Sequence, residues 1–475
     1  MKKLLFGTLA AIMLIIISCS KENNPILTIE GGQIQGIETA TPGVILYKGI
    51  PFAAPPIGEY RWKEPQPVIP WTGVKIADTW GNPAPQPKHT LDSFYGKEFF
   101  WEGDPEFSED CLFLNVWTPA AGKTKKKLPV AMWVHGGGYN AGWGFEPEMD
   151  GEAWAERDVI LVTINYRLGI FGFFTHPELS AENDHGVSGN YGTLDQIAAL
   201  KWIKNNIEQF GGDPDNITVF GQSAGAMSIM NLVSSPLSKD MIAKAIIQSG
   251  GGVSDRATPA LGGNPLEVGE QIGQAFMEFM GYSSIGEMRA APTDSIYNQV
   301  GRFSLATRQR PTVSPVIDGY VMEMNFSDCV KSGTIADVPY MIGSTMDDMG
   351  MLANGIDKFC LLREQQGTNA YAYQFARALP GDNAGAFHSS ELWYIFHTLD
   401  RCWRPFVDAD AQLSIQMVNA WTNFSKTGNP NGQGVENWTP FTESTPKYMV
   451  FKLNDDETGL ASGMGDPEPP SVRRN

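Results

Sequence analysis

Ser223 stands at the centre of Gly221-Gln222-Ser223-Ala224-Gly225, the spacing of a nucleophile elbow. Glycines two positions away on either side let the chain turn sharply enough to hold a hydroxyl clear of its own backbone. The chemistry open to such a serine is attack on an acyl carbon. Its hydroxyl is a poor nucleophile at neutral pH, so a base must take the proton and a carboxylate must orient that base. As the acyl carbon is attacked, its carbonyl oxygen becomes negative and needs donors. A second glycine cluster, His135-Gly136-Gly137-Gly138-Tyr139, offers side-chain-free backbone whose N–H groups can approach a reacting carbonyl. In that arrangement the amides of Gly137, Gly138 and Ala224 receive the oxyanion. A phosphate-cradling role is a poor fit, because no Gly-Lys-Ser/Thr follows the cluster.

The base comes from six histidines: His89, His135, His176, His185, His388 and His397. Chains with this elbow place serine, acid and histidine in that order, which leaves His388 and His397. His388 lies in the small, polar stretch Gly385-Ala386-Phe387-His388-Ser389-Ser390-Glu391 and is favoured over His397, whose helical aromatic surroundings are those of a packed residue. The acid belongs at a strand end between them. The apolar run Val338–Gly343 leads into Ser344-Thr345-Met346-Asp347-Asp348, and spacing does not choose between the two aspartates.

The elements that must hold these groups are legible as alternating β and α patterns. LPVAMWVH (128–135), DVILVTINY (158–166), ITVFG (217–221) and AKAIIQSG (243–250) are continuous apolar runs. Such runs imply strands covered on both faces, as in a large, mainly parallel sheet flanked by helices. Apolar residues at helical spacing predict a helix from Leu194 to about Gln209, stopped by Gly211-Gly212. Residues 26–56 have β-hairpin character. With no repeat or low-complexity tract, residues 25–475 are expected to form one α/β domain.

Acidic residues number 53 against 35 basic ones, a formal net charge of −18. That excess argues against nucleic acid as a partner and disfavours electrostatic docking on an anionic membrane. Lys2 and Lys3 precede an apolar stretch from Leu4 to Ile17, too short to span a bilayer, so residues 1–18 read as a signal peptide. Ser18-Cys19 at its end resembles the lipobox of bacterial lipoproteins. Cys19 is then the site of lipid attachment, residues 19–24 form the acylated terminus and tether, and the protein is exported and lipid-anchored at the cell envelope. Membrane contact is expected through that anchor only.

Taken together, the chain resembles the type-B carboxylesterases, the family of the cholinesterases. The likeness rests on EDCLFLNVWTP (109–119) and on Phe210-Gly211-Gly212 through the elbow, with GIPFAAPPIGEYRW (49–62) and GNYGTLDQIAALKWIKNNI (189–207) in support. It implies an α/β-hydrolase fold, an acyl-serine mechanism on small-molecule esters, and no metal or cofactor. It also resolves the acid: the family's carboxylate falls five positions after the strand-ending glycine, here Gly343, which gives Asp348. Most members carry glutamate there. Three other departures stand out. The family's disulfide partner of Cys111 is replaced, so Cys111 is expected to be a free buried thiol. Gln222 stands where many members have glutamate. Only 40 positions separate Asp348 from His388, which implies a more open site that accepts bulky esters. The aromatic stretch 94–101 is expected either to border the site or to tuck onto the core. Some relatives, such as neuroligins, are catalytically inactive binding domains that have lost a triad residue; here every part is present. An amidase, peptidase or thioesterase on the same machinery differs only in pocket shape.

Overall fold

A computed structural model describes residues 24–255, 264–350, 352–435 and 437–471; the expected signal peptide and Cys19 lie outside them. An 11-stranded sheet organises the chain. From edge to edge its strands are Gly463–Gly465, Tyr448–Phe451, Ala370–Phe375, Tyr340–Thr345, Lys244–Gln248, Gly212–Gln222, Leu128–Val134, Ile160–Ile164, Phe113–Thr118, Ile45–Pro51 and Ile37–Glu38. The strands from Tyr448–Phe451 to Ile160–Ile164 are parallel to their neighbours. Antiparallel pairings close both edges. This is the α/β-hydrolase architecture.

Side chains alternate across the sheet, so each apolar run feeds two cores. Val130, Met132 and Val134 face the helices Tyr191–Asn206, Ala224–Ser234 and Ala353–Gln365. Ala131 and Trp133 face the opposite layer, which includes Leu413, Met417 and Trp421 of the helix Asp408–Thr427. With both faces covered, every residue of Ile160–Ile164 and Lys244–Gln248 is buried.

The helix expected from Leu194 begins a turn earlier, at Tyr191, and passes into a 3-10 turn at Ile207–Phe210. Its first turn is packed all round, with Gly192 pressed against the Arg167 carbonyl, so no one-sided apolar stripe marks it. The amino-terminal part also differs from a single hairpin. Ile26–Ile29 and Gly32–Gln35 pair in a small three-stranded sheet with Val74–Ile76, while Ile45–Pro51 joins the large sheet.

Candidate active site

The strand Gly212–Gln222 delivers the chain into Ser223, whose backbone sits at φ 57, ψ −123 before the helix Ala224–Ser234 begins. A non-glycine residue there stores about 1–3 kcal/mol of strain. The surroundings hold it: the Ser223 amide donates to the Gln248 carbonyl at 2.9 Å. A β-carbon on Gly225 would stand 2.0 Å from the Val134 carbonyl oxygen, and one on Gly221 2.6 Å from the Gly225 carbonyl carbon. Both elbow glycines are therefore required by close approach. Ser223 is half-buried, and its hydroxyl makes no hydrogen bond among the described residues.

The neighbouring strand Leu128–Val134 ends in the glycine loop. Gly136 lies against the nucleophile, a β-carbon there falling 3.3 Å from Ser223 Cβ. Gly137 (φ 94) and Gly138 (φ 62) follow in left-handed conformations and are exposed. The Gly137 carbonyl accepts from the amides of Asn140 and Ala141, which fixes the loop. The Gly137 and Gly138 amides donate to nothing among the described residues. The Ala224 amide opens its helix and has no acceptor within it. His135 is buried, its Nδ1 is 3.0 Å from the Gly136 carbonyl, and burial pushes its pKa down to about 4. It is a neutral pin for the loop.

Two strands from Gly212–Gln222, the strand Tyr340–Thr345 leads into Asp347 and Asp348. His388 Nδ1 lies 2.7 Å from Asp348 Oδ1, and both side chains are buried. Asp348 Oδ1 also accepts from the Met349 amide at 2.7 Å, and Oδ2 from the Thr345 hydroxyl at 3.2 Å. Burial alone would raise its pKa, but the hydrogen bond and charge of the His388 ring lead the contributions that outweigh burial and hold the carboxyl below its ordinary value. Asp347 does something else. Its Oδ2 accepts from the Ala386 amide at 2.8 Å and the Ser471 hydroxyl at 2.6 Å, and its Oδ1 from the Ser471 amide at 2.7 Å. The ambiguity left by spacing thus ends with Asp348 on the imidazole and Asp347 on the backbone. His397 is elsewhere engaged, with Nδ1 2.7 Å from Ser414 Oγ.

With Nδ1–H directed at Asp348, the lone pair of the His388 ring is on Nε2. The Gln222 side-chain amide lies within hydrogen-bond distance of it, Nε2 to Nε2 at 3.2 Å, and no Ser223–His388 hydrogen bond is formed among the described residues. Gln222, noted in the sequence only for its missing charge, is therefore a neighbour of the base.

Sequence reasoning missed two further groups. Tyr95 donates its hydroxyl to the His388 carbonyl at 3.1 Å, across 293 positions. Its stretch forms a short helix, Phe94–Phe99, and packs onto the His388 loop: Phe94 meets Phe387 edge-on at 4.9 Å and Phe99 stacks on Trp393 at 5.5 Å. Glu391 is fully buried, with no hydrogen-bond partner for either carboxyl oxygen among the described residues. Burial, then the charge of Asp348, raises its pKa to about 7. No local pattern announces it, since Ser-Ser-Glu before an apolar run reads as a helix start. Cys111 is free and buried in the core that also holds Ala84.

A strained serine at the carboxyl end of a parallel sheet, with an Asp–His pair and a glycine loop beside it, defines a serine hydrolase of the α/β-hydrolase class. The chain matches the carboxylesterase family over residues 23–364 and 351–464, and it belongs to that family as a carboxylesterase. It is 32% identical to the fumonisin B1 esterase of Sphingopyxis macrogoltabida over 499 residues, covering 92% of this chain and 87% of that one. It is 33% identical over 486 residues to the para-nitrobenzyl esterase of Bacillus subtilis (strain 168), covering 90% and 94%. Among solved structures, a thermophilic PNB esterase superposes with a TM-score of 0.78 at 29% identity, covering 93% of this chain and 98% of that one. A Geobacillus stearothermophilus carboxylesterase gives 0.76 at 29% identity, covering 92% and 97%.

Proposed function

We propose that the protein hydrolyses carboxylic esters through an acyl-Ser223 intermediate, with His388 as base and then acid, Asp348 as its orienting partner, and the amides of Gly137, Gly138 and Ala224 as oxyanion donors. The observation that carries this reading is the 2.7 Å bond from His388 Nδ1 to Asp348, which fixes the tautomer whose free lone pair is on Nε2. Substrate displaces the Gln222 amide from that nitrogen. Nε2 takes the Ser223 proton as Oγ bonds to the acyl carbon and the carbonyl π pair moves onto oxygen. Collapse breaks the bond to the alcohol, which leaves with the proton from His388. Water then repeats the sequence: His388 removes its proton, the acyl–Oγ bond breaks, and Ser223 recovers its hydrogen. One oxyanion donor contributes about 3 kcal/mol to such a step.

The short interval between Asp348 and His388 supports a site that accepts bulky esters, and the relatives named for fumonisin B1 and para-nitrobenzyl esters point the same way. The chain is exported and held at the bacterial cell envelope through a lipid on Cys19. The test is hydrolysis of p-nitrophenyl esters by the wild type and Ser223→Ala, with a fluorophosphonate probe mapped by mass spectrometry. A folded, silent, unlabelled variant is expected. Undiminished hydrolysis by Ser223→Ala overturns the assignment, and rates that collapse beyond short acyl and alcohol groups overturn the bulky-ester reading.

A further inference from the structure

Against the anchor-only contact expected from the net charge, we infer that the turn Lys123–Lys127, a local basic exception, docks on anionic lipid headgroups beside the point where the tether leaves the fold, and thereby turns the catalytic face away from the membrane. The orientation rests on the proposed acylation of Cys19; the basic surface itself does not.

The tether leaves from a fixed place. Asn24 donates to the Gly36 carbonyl at 3.0 Å and accepts from Gln35 Nε2 at 2.7 Å. Pro25, the next residue, abuts the lysine turn, since a β-carbon on Gly122 would stand 3.3 Å from Pro25 Cβ. The stretch from Cys19 to Pro25 spans no more than about 20 Å when fully extended. An acylated Cys19 therefore holds this turn within reach of the bilayer surface.

The turn is rigid and charged. The Gly122 amide donates to the Gln209 carbonyl, Lys123 to Ala120 and Lys126 to Lys123, each at 2.9 Å. Lys123, Lys125, Lys126 and Lys127 are all exposed. Nearby acids are already engaged: Glu208 pairs with Lys127, Asp215 with Lys204 at 2.9 Å, and Glu30 accepts from Asn205. Asp213 lies near Lys127 as well. Lys123, Lys125 and Lys126 have no carboxylate partner among the described residues. In a chain of net charge −18, three unpaired lysines in four positions stand where a lipid would be attached. The acidic remainder is repelled by the same headgroups, so attraction and repulsion favour one orientation.

That orientation has a catalytic meaning. Leu128, directly after the turn, begins the strand whose other end, about 20 Å away, passes into the glycine loop. The neighbouring strands run parallel to it, which puts Ser223 and Asp348 at the far end of the sheet. The site then faces the aqueous phase and draws esters from it, not from the bilayer that carries the protein.

The experiment reconstitutes the mature chain into vesicles of phosphatidylcholine alone or with about one-third phosphatidylglycerol, and follows pulse acetylation of lysines by mass spectrometry. Lys123, Lys125 and Lys126 are expected to react at least about fivefold more slowly on the anionic vesicles, with the contrast lost at about 1 M salt, where the Debye length is about 3 Å. Lys88 serves as the catalytic-side control, being two residues beyond Gln86, whose side chain binds Gly142 beside the glycine loop, and it keeps its rate. Equal lysine rates on both vesicles overturn the docking. The mass of the amino-terminal peptide separately reports acylation, and an unmodified Cys19 overturns the anchored orientation. The surface is then judged by flotation of the Cys19→Ser chain at low salt against the same chain carrying K123E/K125E/K126E. Better flotation of the former with anionic vesicles supports it, and equal flotation overturns it.

Discussion

Replacing Glu391 by glutamine should change how stability depends on pH more than it changes stability at any one acidic pH. The carboxyl is raised from an ordinary 4.5 to about 7 in the fold because it is fully buried close to the charge of Asp348. Below about pH 4.5 folded and unfolded chains both hold the proton, and Glu391 is neutral in its effect. As pH rises from 4.5 towards 7 the unfolded chain releases the proton while the folded chain keeps it, so stability falls; above 7 the loss is complete. A displacement of that size corresponds to roughly 3 kcal/mol at 1.36 kcal/mol per pH unit, most of it lost between about pH 5 and pH 7. Glutamine cannot ionise, so Glu391→Gln should be free of this decline. Urea unfolding of both proteins at pH 5, 7 and 9 is the assay, with the gap between them widening by about 2–3 kcal/mol towards high pH. Parallel stability curves would mean that Glu391 is not a buried proton-holding acid, and the reasoning would fail.

Asp348→Asn should lower kcat by about 10⁴-fold by favouring the wrong imidazole tautomer, whereas Asp347→Ala should cost no more than about tenfold and show its effect mainly in melting temperature; comparable losses in the two would reverse their roles. Gln222→Glu sets a carboxylate beside the His388 ring, 3.2 Å from Nε2 in the amide's place, and should move the acidic limb of kcat/KM to higher pH by favouring the imidazolium; an unmoved limb would refute the contact. Gly225→Ala drives a β-carbon to 2.0 Å from the Val134 carbonyl and should abolish soluble, active protein, so recovery of normal expression and activity would contradict the elbow geometry.

The elbow at Ser223 and the glycine loop were legible because each depends on local backbone geometry that leaves a local signature, whereas His388 was reached only through chain order and its small, polar surroundings. Strand Gly212–Gln222 must turn into helix Ala224–Ser234, and only glycine tolerates the approach to Val134. The central strands were legible for a similar reason, since burial on both faces writes an unbroken apolar run. The edges were not: Ile37–Glu38 and Gly463–Gly465 are too short to carry a period. Asp347 and Asp348 are adjacent and chemically identical, so only the partners they meet distinguish them. Tyr95 and Glu391 act through tertiary contacts that no spacing within their own segments encodes.

Tertiary contacts of this kind also tie the His388 loop to the strand that leads into Asp348. The 2.7 Å bond between His388 Nδ1 and Asp348 Oδ1 lies where loop and strand meet. Asp347 joins the two. Its amide donates to the Ala386 carbonyl at 3.0 Å while its carboxylate receives the Ala386 amide at 2.8 Å, making a parallel bridge between Asp347 and Phe387 one residue before each member of the Asp–His pair. Tyr95 holds the His388 carbonyl from the other side. The His388 loop is thereby stitched to the strand directly beside the Asp–His pair, so backbone contacts as well as the two side chains hold the pair together.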